Sequence, residues 1–564
     1  MGNRRARSLF RTVVAGLLSL GSIVVAASST QGRPALRPEG SRLGQSAGSP
    51  NSFNQSIFGE DSASVEGAAR QEPVRRHVVV VVWDGMRPDF VNEQNTPALW
   101  KLAQSGVVFR NHHAVYPSAT IVNGTAINTG VYANSSGLLA NHDFRPEIDA
   151  KKSIDVENVE VVRKGDELSG GKYIAVPTIA ELLRNHGRTS AIATAKTIGL
   201  LLDRHCDGNP GRNIFAGESL RPEAIISVAK TLGAFPPATQ PAERDAWTTK
   251  ALTDFLWRDG VPAFSLLWLS EPDDTEHRTA PGAPAAIAAI KSSDNNLARV
   301  LAALDRPAFA KATARQATDI LVVSDHGFST IARAIDVRKI LRDGGFDTVT
   351  EFTNEPKTGQ VMIVGNGGTV LFYVIGHDAA VTRRLVEFLQ QTDFAGVIFT
   401  REGMEGTFTL DKARIDNEHA PDVEMSFRWD ENKNQFGVAG MMDGDWQRAA
   451  GKGTHATLSR FDMHNVLIAA GPDFRRGETD ELPSGNVDLA PTILAIFGIK
   501  SAASMDGRVL AEAMSAGEGT PARATNETME ATKKFRAGTW RQQLQISRMS
   551  STIYFDEGNG AFTR

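Results

Sequence analysis

The chain has 564 residues, 41% hydrophobic and 22% charged, with a formal net charge of −4. That length exceeds what one simple core holds, so one large domain with insertions, or two domains, is expected. The charge balance excludes a broad attraction to nucleic acid or an anionic membrane, and the single cysteine, Cys206, excludes an intramolecular disulfide.

Residues 1–27 have the makeup of a secretory signal peptide. Arg4, Arg5, Arg7 and Arg11 form a basic start, an apolar run follows, and Val25-Ala26-Ala27 suits a signal peptidase. The run is shorter than the roughly 20 residues of a comfortable membrane span. Export to the periplasm or the exterior is therefore expected, with no stable span after cleavage. Residues 28–75, rich in Ser, Gly, Gln, Pro and Asn, read as a disordered linker.

Folding is expected to start at about Arg76. Val78 to Val82 are stiff and apolar on both faces, which predicts a strand buried on both sides, as in a parallel sheet covered by helices. Asp84 and Gly85 follow directly, where open α/β sheets place their ligands. Taken alone, Asp84 also reads as a capping residue of a turn. Residues 96–105 have helical periodicity with Pro97 in the first turn, and residues 107–109 resume as a strand.

The stretch 116–130, YPSATIVNGTAINTG, places a turn and then a helix from Thr120. A hydroxyl there has the position of an activated nucleophile, beside N–H groups that favour an anion such as phosphate. Ser118 or Thr120 acting only as a cap is the alternative. Asn141, in a loop, has an amide that can donate to an anion or hold a turn.

Further strands end in chemistry-bearing residues. Residues 190–194 lead to Lys196; residues 264–269 lead to Asp273 and His277, four apart; residues 320–323 lead to Ser324-Asp325-His326-Gly327. Residues 284–304 predict a long helix over the sheet. Residues 331–450 break the alternation and read as an inserted subdomain or lid. A flexible Gly-rich loop then carries His455. Residues 487–498 read as the helix ending the core, and 515–564 as a peripheral appendage. Strands and helices in alternation predict an α/β sandwich with a mostly parallel sheet and helices on both faces.

Asp84, Asp273, Asp325, His277, His326 and His455, with Thr120, suit two closely spaced divalent metals, and the mixed donors favour Zn²⁺. Such a pair, about 3.5–4 Å apart, can clamp both oxygens of a phosphoryl transfer.

The ordered motifs WDGMRPD, YPSATIVNGTAINTG, EPDDTEH, SDHG and GTH resemble the alkaline phosphatase superfamily, and most closely its type I phosphodiesterase/nucleotide pyrophosphatase family, over residues 76–510. The resemblance implies an alkaline phosphatase-like catalytic domain at 76–514. It implies one metal held by Asp84, Thr120, Asp325 and His326, and another held by Asp273, His277 and His455. It makes Thr120 the nucleophile and Asn141 a phosphate contact. The chain has Val122-Asn123 where the family often has Pro-Asn. The implied reaction is hydrolysis of a small phosphodiester or pyrophosphate, rather than a nucleic-acid polymer, through a phosphothreonine.

The segment around Lys196, Thr194-Ala195-Lys196-Thr197-Ile198, also resembles the phosphonoacetate hydrolase pattern, with Ile198 where a second cation would stand. One cation neutralises a dianion less well than two, which favours diesters over monoesters and phosphonates. Lys196 facing solvent is the simpler alternative. A sulfatase is excluded by the lack of its nucleophile pattern. A non-catalytic binding protein would be expected to lack ligands that this chain retains.

Overall fold

The computed structural model describes residues 76–204, 212–306, 314–500, 504–517 and 523–564. The expected signal and linker, and Cys206, lie outside them.

The five valines do form a strand, His77–Trp83, and each is fully buried. Pleating sends their side chains to opposite faces. Val78, Val80 and Val82 join Ile121, Leu489 and Ile493, while Val79 and Val81 join Leu99, Leu297 and Val300. Helices Thr120–Thr129 and Leu489–Ile496 thus cover one face, and Pro97–Gln104 and Pro284–Leu304 the other. Each buried valine contributes about 1.5 kcal/mol or more.

This strand sits inside an eight-stranded sheet. Its neighbours are Phe264–Leu269 and Thr318–Val323, both parallel to it, and Ser190–Thr194 runs parallel to Phe264–Leu269. Leu467–Ala470 is antiparallel to Thr318–Val323, so the sheet is mostly parallel with an antiparallel interruption. The four adjacent parallel strands therefore deliver Asp325, Asp84, Asp273 and Lys196 to the same sheet edge. This is the α/β architecture with helices on both faces that the alternation of elements predicts.

Residues 331–450 build further sheets. The strands Val361–Gly365, Thr369–Val374, Val423–Phe427 and Ala395–Thr400 are the middle of a six-stranded sheet. Helices Val337–Asp343 and Ala379–Leu389 pack on it through Leu341 and Leu385, against Phe372, Ile398 and Met425. A four-stranded sheet pairs Ser329–Ala334 with Ala439–Gly444 and with Gly453–Thr454.

The expected peripheral appendage is instead part of the core. Strands Thr525–Phe535, Gly538–Met549 and Thr552–Thr563 form an antiparallel meander. Leu544, Ile546, Ile553 and Phe555 lie in one apolar cluster with Val115, Ala119, Val122 and Phe399. The polar sequence hides this, because Gln542 is buried yet satisfied: it accepts from the Ile398 N–H at 2.9 Å and donates to the Ile398 carbonyl at 3.1 Å.

Candidate active site

Thr120 opens the helix Thr120–Thr129, whose N-cap is Ala119 without a side-chain cap. Capping is thus not the task of Ser118 or Thr120. Ser118 donates its hydroxyl to the Thr457 carbonyl at 2.7 Å and is fully buried. Thr120 Oγ1 lies 3.3 Å from His326 Nε2. Asn141 Oδ1 accepts the Ile121 N–H at 3.0 Å, which engages one helix-terminal donor and places Asn141 beside the first turn of the Thr120 helix.

Around Thr120 lie two side-chain groups that could hold metal: Asp84, Asp325 and His326, and Asp273, His326 and His455. His277 Nε2 is 3.2 Å from Asp273 Oδ1, and His455 Nε2 is 3.5 Å from the same oxygen. All seven expected ligands therefore converge. The expectation of a flexible loop at His455 is corrected. Gly453–Thr454 pairs as a strand with Ser329 and Thr330, and His455 is buried.

The donor set fits metal on two grounds. Asp84 Oδ1, Asp273 Oδ1 and Asp325 Oδ2 are buried without a hydrogen-bond partner. An unmet buried carboxylate oxygen is costly, and a cation is what removes the cost. The three imidazoles also share one arrangement. Nδ1 faces a backbone carbonyl in each: Gly453 for His277 at 3.0 Å, Gly327 for His326 at 2.9 Å, Ser118 for His455 at 2.8 Å. A carbonyl only accepts, so Nδ1 donates to it and Nε2 is the atom each ring turns toward the carboxylates, as in metal-binding histidines.

The electrostatics agree. Burial, with Asp325 beside it, pushes Asp84 well above the ordinary carboxylate range. Burial acts on Asp273 in the same sense, but His277 and Lys196 hold it well below that range. Burial and the neighbouring His326 keep His455 well below the ordinary imidazole value, hence neutral.

Lys196 is not a solvent-facing lysine. Its ammonium lies 2.6 Å from Asp273 Oδ2 and 2.9 Å from Asp84 Oδ2, with 16% of the side chain exposed. Burial opposes its charge, but Asp273 and Asp84 raise its pKa above the ordinary value.

Several supporting residues escape sequence reasoning. Asn123 Nδ2 donates to the carbonyls of Val115, Pro117 and Ala119, and its Oδ1 accepts from the Val115 N–H, knitting the turn before Thr120. Asn486 Nδ2 bridges Asn123 Oδ1 at 2.9 Å and the Asp325 carbonyl at 2.7 Å. Trp268 Nε1 donates to Asp84 Oδ2 at 2.8 Å. Asp245 accepts from the N–H groups of Ser270 and Glu271, fixing the turn before Asp273. The only sequence signal was for Asn123, in the Val122-Asn123 pair. Gly85 is required by φ +73° and by the Phe328 ring, which would stand 2.9 Å from an added Cβ; its N–H donates to Asp325 Oδ1 at 3.0 Å.

Two solved structures share the fold. Murine ectonucleotide pyrophosphatase/phosphodiesterase 5, as an inactive form with AMP, matches with a TM-score of 0.53 and 17% identity, over 77% of this chain and 97% of that one. The human protein of the same name matches with a TM-score of 0.54 and 16% identity, over 78% and 100%. Among curated proteins, ectonucleotide pyrophosphatase/phosphodiesterase family member 3 of Mus musculus is 22% identical over 44% of this chain and 24% of its own length. Venom phosphodiesterase of Naja atra is 21% identical over 45% and 26%. The chain thus spans about a quarter of the length of these curated relatives. The description type I phosphodiesterase/nucleotide pyrophosphatase matches residues 78–429, more than half of the chain and all but one of the expected metal-ligand positions. The chain therefore belongs to the type I phosphodiesterase/nucleotide pyrophosphatase family, within the alkaline phosphatase superfamily.

Proposed function

We propose that the chain is an exported, metal-dependent hydrolase of phosphodiester or pyrophosphate bonds. The observation that carries this reading is the ring of unmet carboxylate oxygens and Nε2 atoms around the Thr120 hydroxyl. Two Zn²⁺ ions would be held by Asp84, Thr120, Asp325 and His326, and by Asp273, His277 and His455. When bound, they would supply Lewis acidity to the phosphoryl oxygens and to the nucleophile.

The residues themselves do the rest. The Thr120 oxygen bonds to phosphorus in line as the alcohol or phosphate leaves. The Asn141 amide, beside the first turn of the helix, donates to the developing charge. Water then cleaves the phosphothreonine and restores the hydroxyl. Nucleotides are suitable substrates, and the AMP in the murine structure supports that class. Export is supported by the composition of residues 1–27. Among the described residues no helix is long and apolar enough to cross a membrane.

Lys196 gives a second reading its footing. An ammonium held by both carboxylates could also meet a dianionic monoester or phosphonate. With two carboxylates already balancing it, little charge is left for a dianion, which supports the diesterase. The test compares kcat/KM on bis(p-nitrophenyl) phosphate, p-nitrophenyl phosphate and phosphonoacetate, with wild type and Lys196→Ala. The diester is expected to be turned over best. If phosphonoacetate or the monoester leads and Lys196→Ala abolishes that lead, the second reading replaces the first.

A further inference from the structure

A third group of ligating side chains lies outside the two around Thr120. His113 ends the short strand His112–His113, His464 is the C-cap of the helix Arg460–Met463, and Asp556 lies on the strand Thr552–Thr563. One donor atom from each lies within 4.8 Å of the others.

His113 Nε2 stands 3.0 Å from Asp556 Oδ1. Its Nδ1 stands 2.9 Å from the Ser484 carbonyl, which only accepts, so Nδ1 carries the ring proton. This repeats the arrangement at His277, His326 and His455. Nε2 and the carboxylate oxygen then face each other, an opening that a proton or a metal ion can bridge. A proton would answer for this pair alone. The His464 ring, with its centroid 4.5 Å from that of His113, brings a third donor to the pair. Ser547 Oγ contacts both Asp556 oxygens, at 3.0 and 2.9 Å, and orients the carboxylate. A cavity of about 480 Å³, lined by His464, Asp556, Phe461 and Gln545 among others, opens beside the group.

We propose that His113, His464 and Asp556 form a third metal site, distinct from the catalytic pair. Two imidazoles and one carboxylate suit Zn²⁺, with the cavity leaving the fourth position open to water. The site would fasten the last strand of the meander to the segment leading to Thr120, because the Ala114 N–H bonds the Met463 carbonyl at 2.7 Å.

The test begins with full-length protein stripped by chelator and dialysed against Zn²⁺. Wild type is expected to retain roughly one zinc more per chain than His464→Gln or Asp556→Asn. Zinc-edge anomalous scattering from wild-type crystals is expected to give a peak among the three side chains, whatever the variants' folding. Equal zinc content in all three proteins, or no peak at that place, overturns the proposal. The same map keeps the two ideas apart. A peak here with none at Asp84 and Asp273 supports this site and removes the catalytic pair, while the opposite pattern removes this site alone.

Discussion

Ser118 and Thr120 are two residues apart, yet their hydroxyls have opposite surroundings. Ser118 spends its proton on the Thr457 carbonyl, and Thr120 faces His326 and the carboxylates. Thr120→Ala is expected to lower kcat by at least about a thousand-fold with the fold retained, as the loss of a nucleophile does. Ser118→Ala is expected to keep activity and to cost about 1 kcal/mol of stability from one lost hydrogen bond. Kinetics and denaturant unfolding of both variants check this; a dead Ser118→Ala beside an active Thr120→Ala would move the nucleophile. Asp84, Asp325 and His326 were legible as candidates because they stand at the ends of apolar strands; Thr120 and His455 do not, and the motif order pointed to them instead. Lys196 was half legible: the strand before it was plain, but its two carboxylate partners come from strands 70 and more residues away in sequence.

At the scale of elements, the strands of the central sheet could be read from composition because burial on both faces demands unbroken apolar runs. Ser190–Thr194 and Phe264–Leu269 fall where the pattern places them. The C-terminal meander could not be read so, since long strands with one wet face carry polar residues at every other position. The asparagines were also hidden, because a side chain that bonds backbone and a distant amide leaves no pattern in sequence. Asn123 and Asn486 join the turn before Thr120 to the strand end at Asp325. Asn123→Ala frees three carbonyls and one N–H of that turn. It is expected to lower kcat by on the order of a hundred-fold, since small misplacements of a reacting atom cost that much. KM should change far less. Steady-state kinetics separates the two, and an equal loss of kcat and rise in KM would argue for general unfolding instead.

At the scale of the whole molecule, two linked equilibria should be visible. The first is metal. Chelation is expected to abolish turnover and lower the unfolding temperature, with both restored by added Zn²⁺, because ligands that bind only the folded state stabilise it. Turnover that persists in metal-free protein would contradict the catalytic reading. The second is pH. Glu424 is fully buried, and burial pushes its carboxyl from 4.5 up to about 8, with the Tyr116 hydroxyl pulling it partly back. Between those values the folded chain holds a proton that the unfolded chain has released. Stability therefore falls as pH rises through about 4.5 to 8, by on the order of a few kcal/mol for this group. Glu424→Gln is expected to remove that part of the slope and to exceed wild type at pH 8 but not at pH 4. Denaturant unfolding at both pH values checks the sign, and parallel wild-type and variant curves would rule Glu424 out as the cause.

The meander also bears on the order in which the protein is built. Synthesis runs from the amino end, so the turn carrying Thr120 emerges more than 400 residues before Leu544 and Phe555, which share its apolar cluster. Until those strands exist, the cluster holding Val115, Val122 and Phe399 lacks one of its sides. A nascent chain halted before Gly538 should hold an apolar dye or a chaperone, and one extended past Thr563 should release it. The turn before Thr120 would then be among the first segments made and among the last to set.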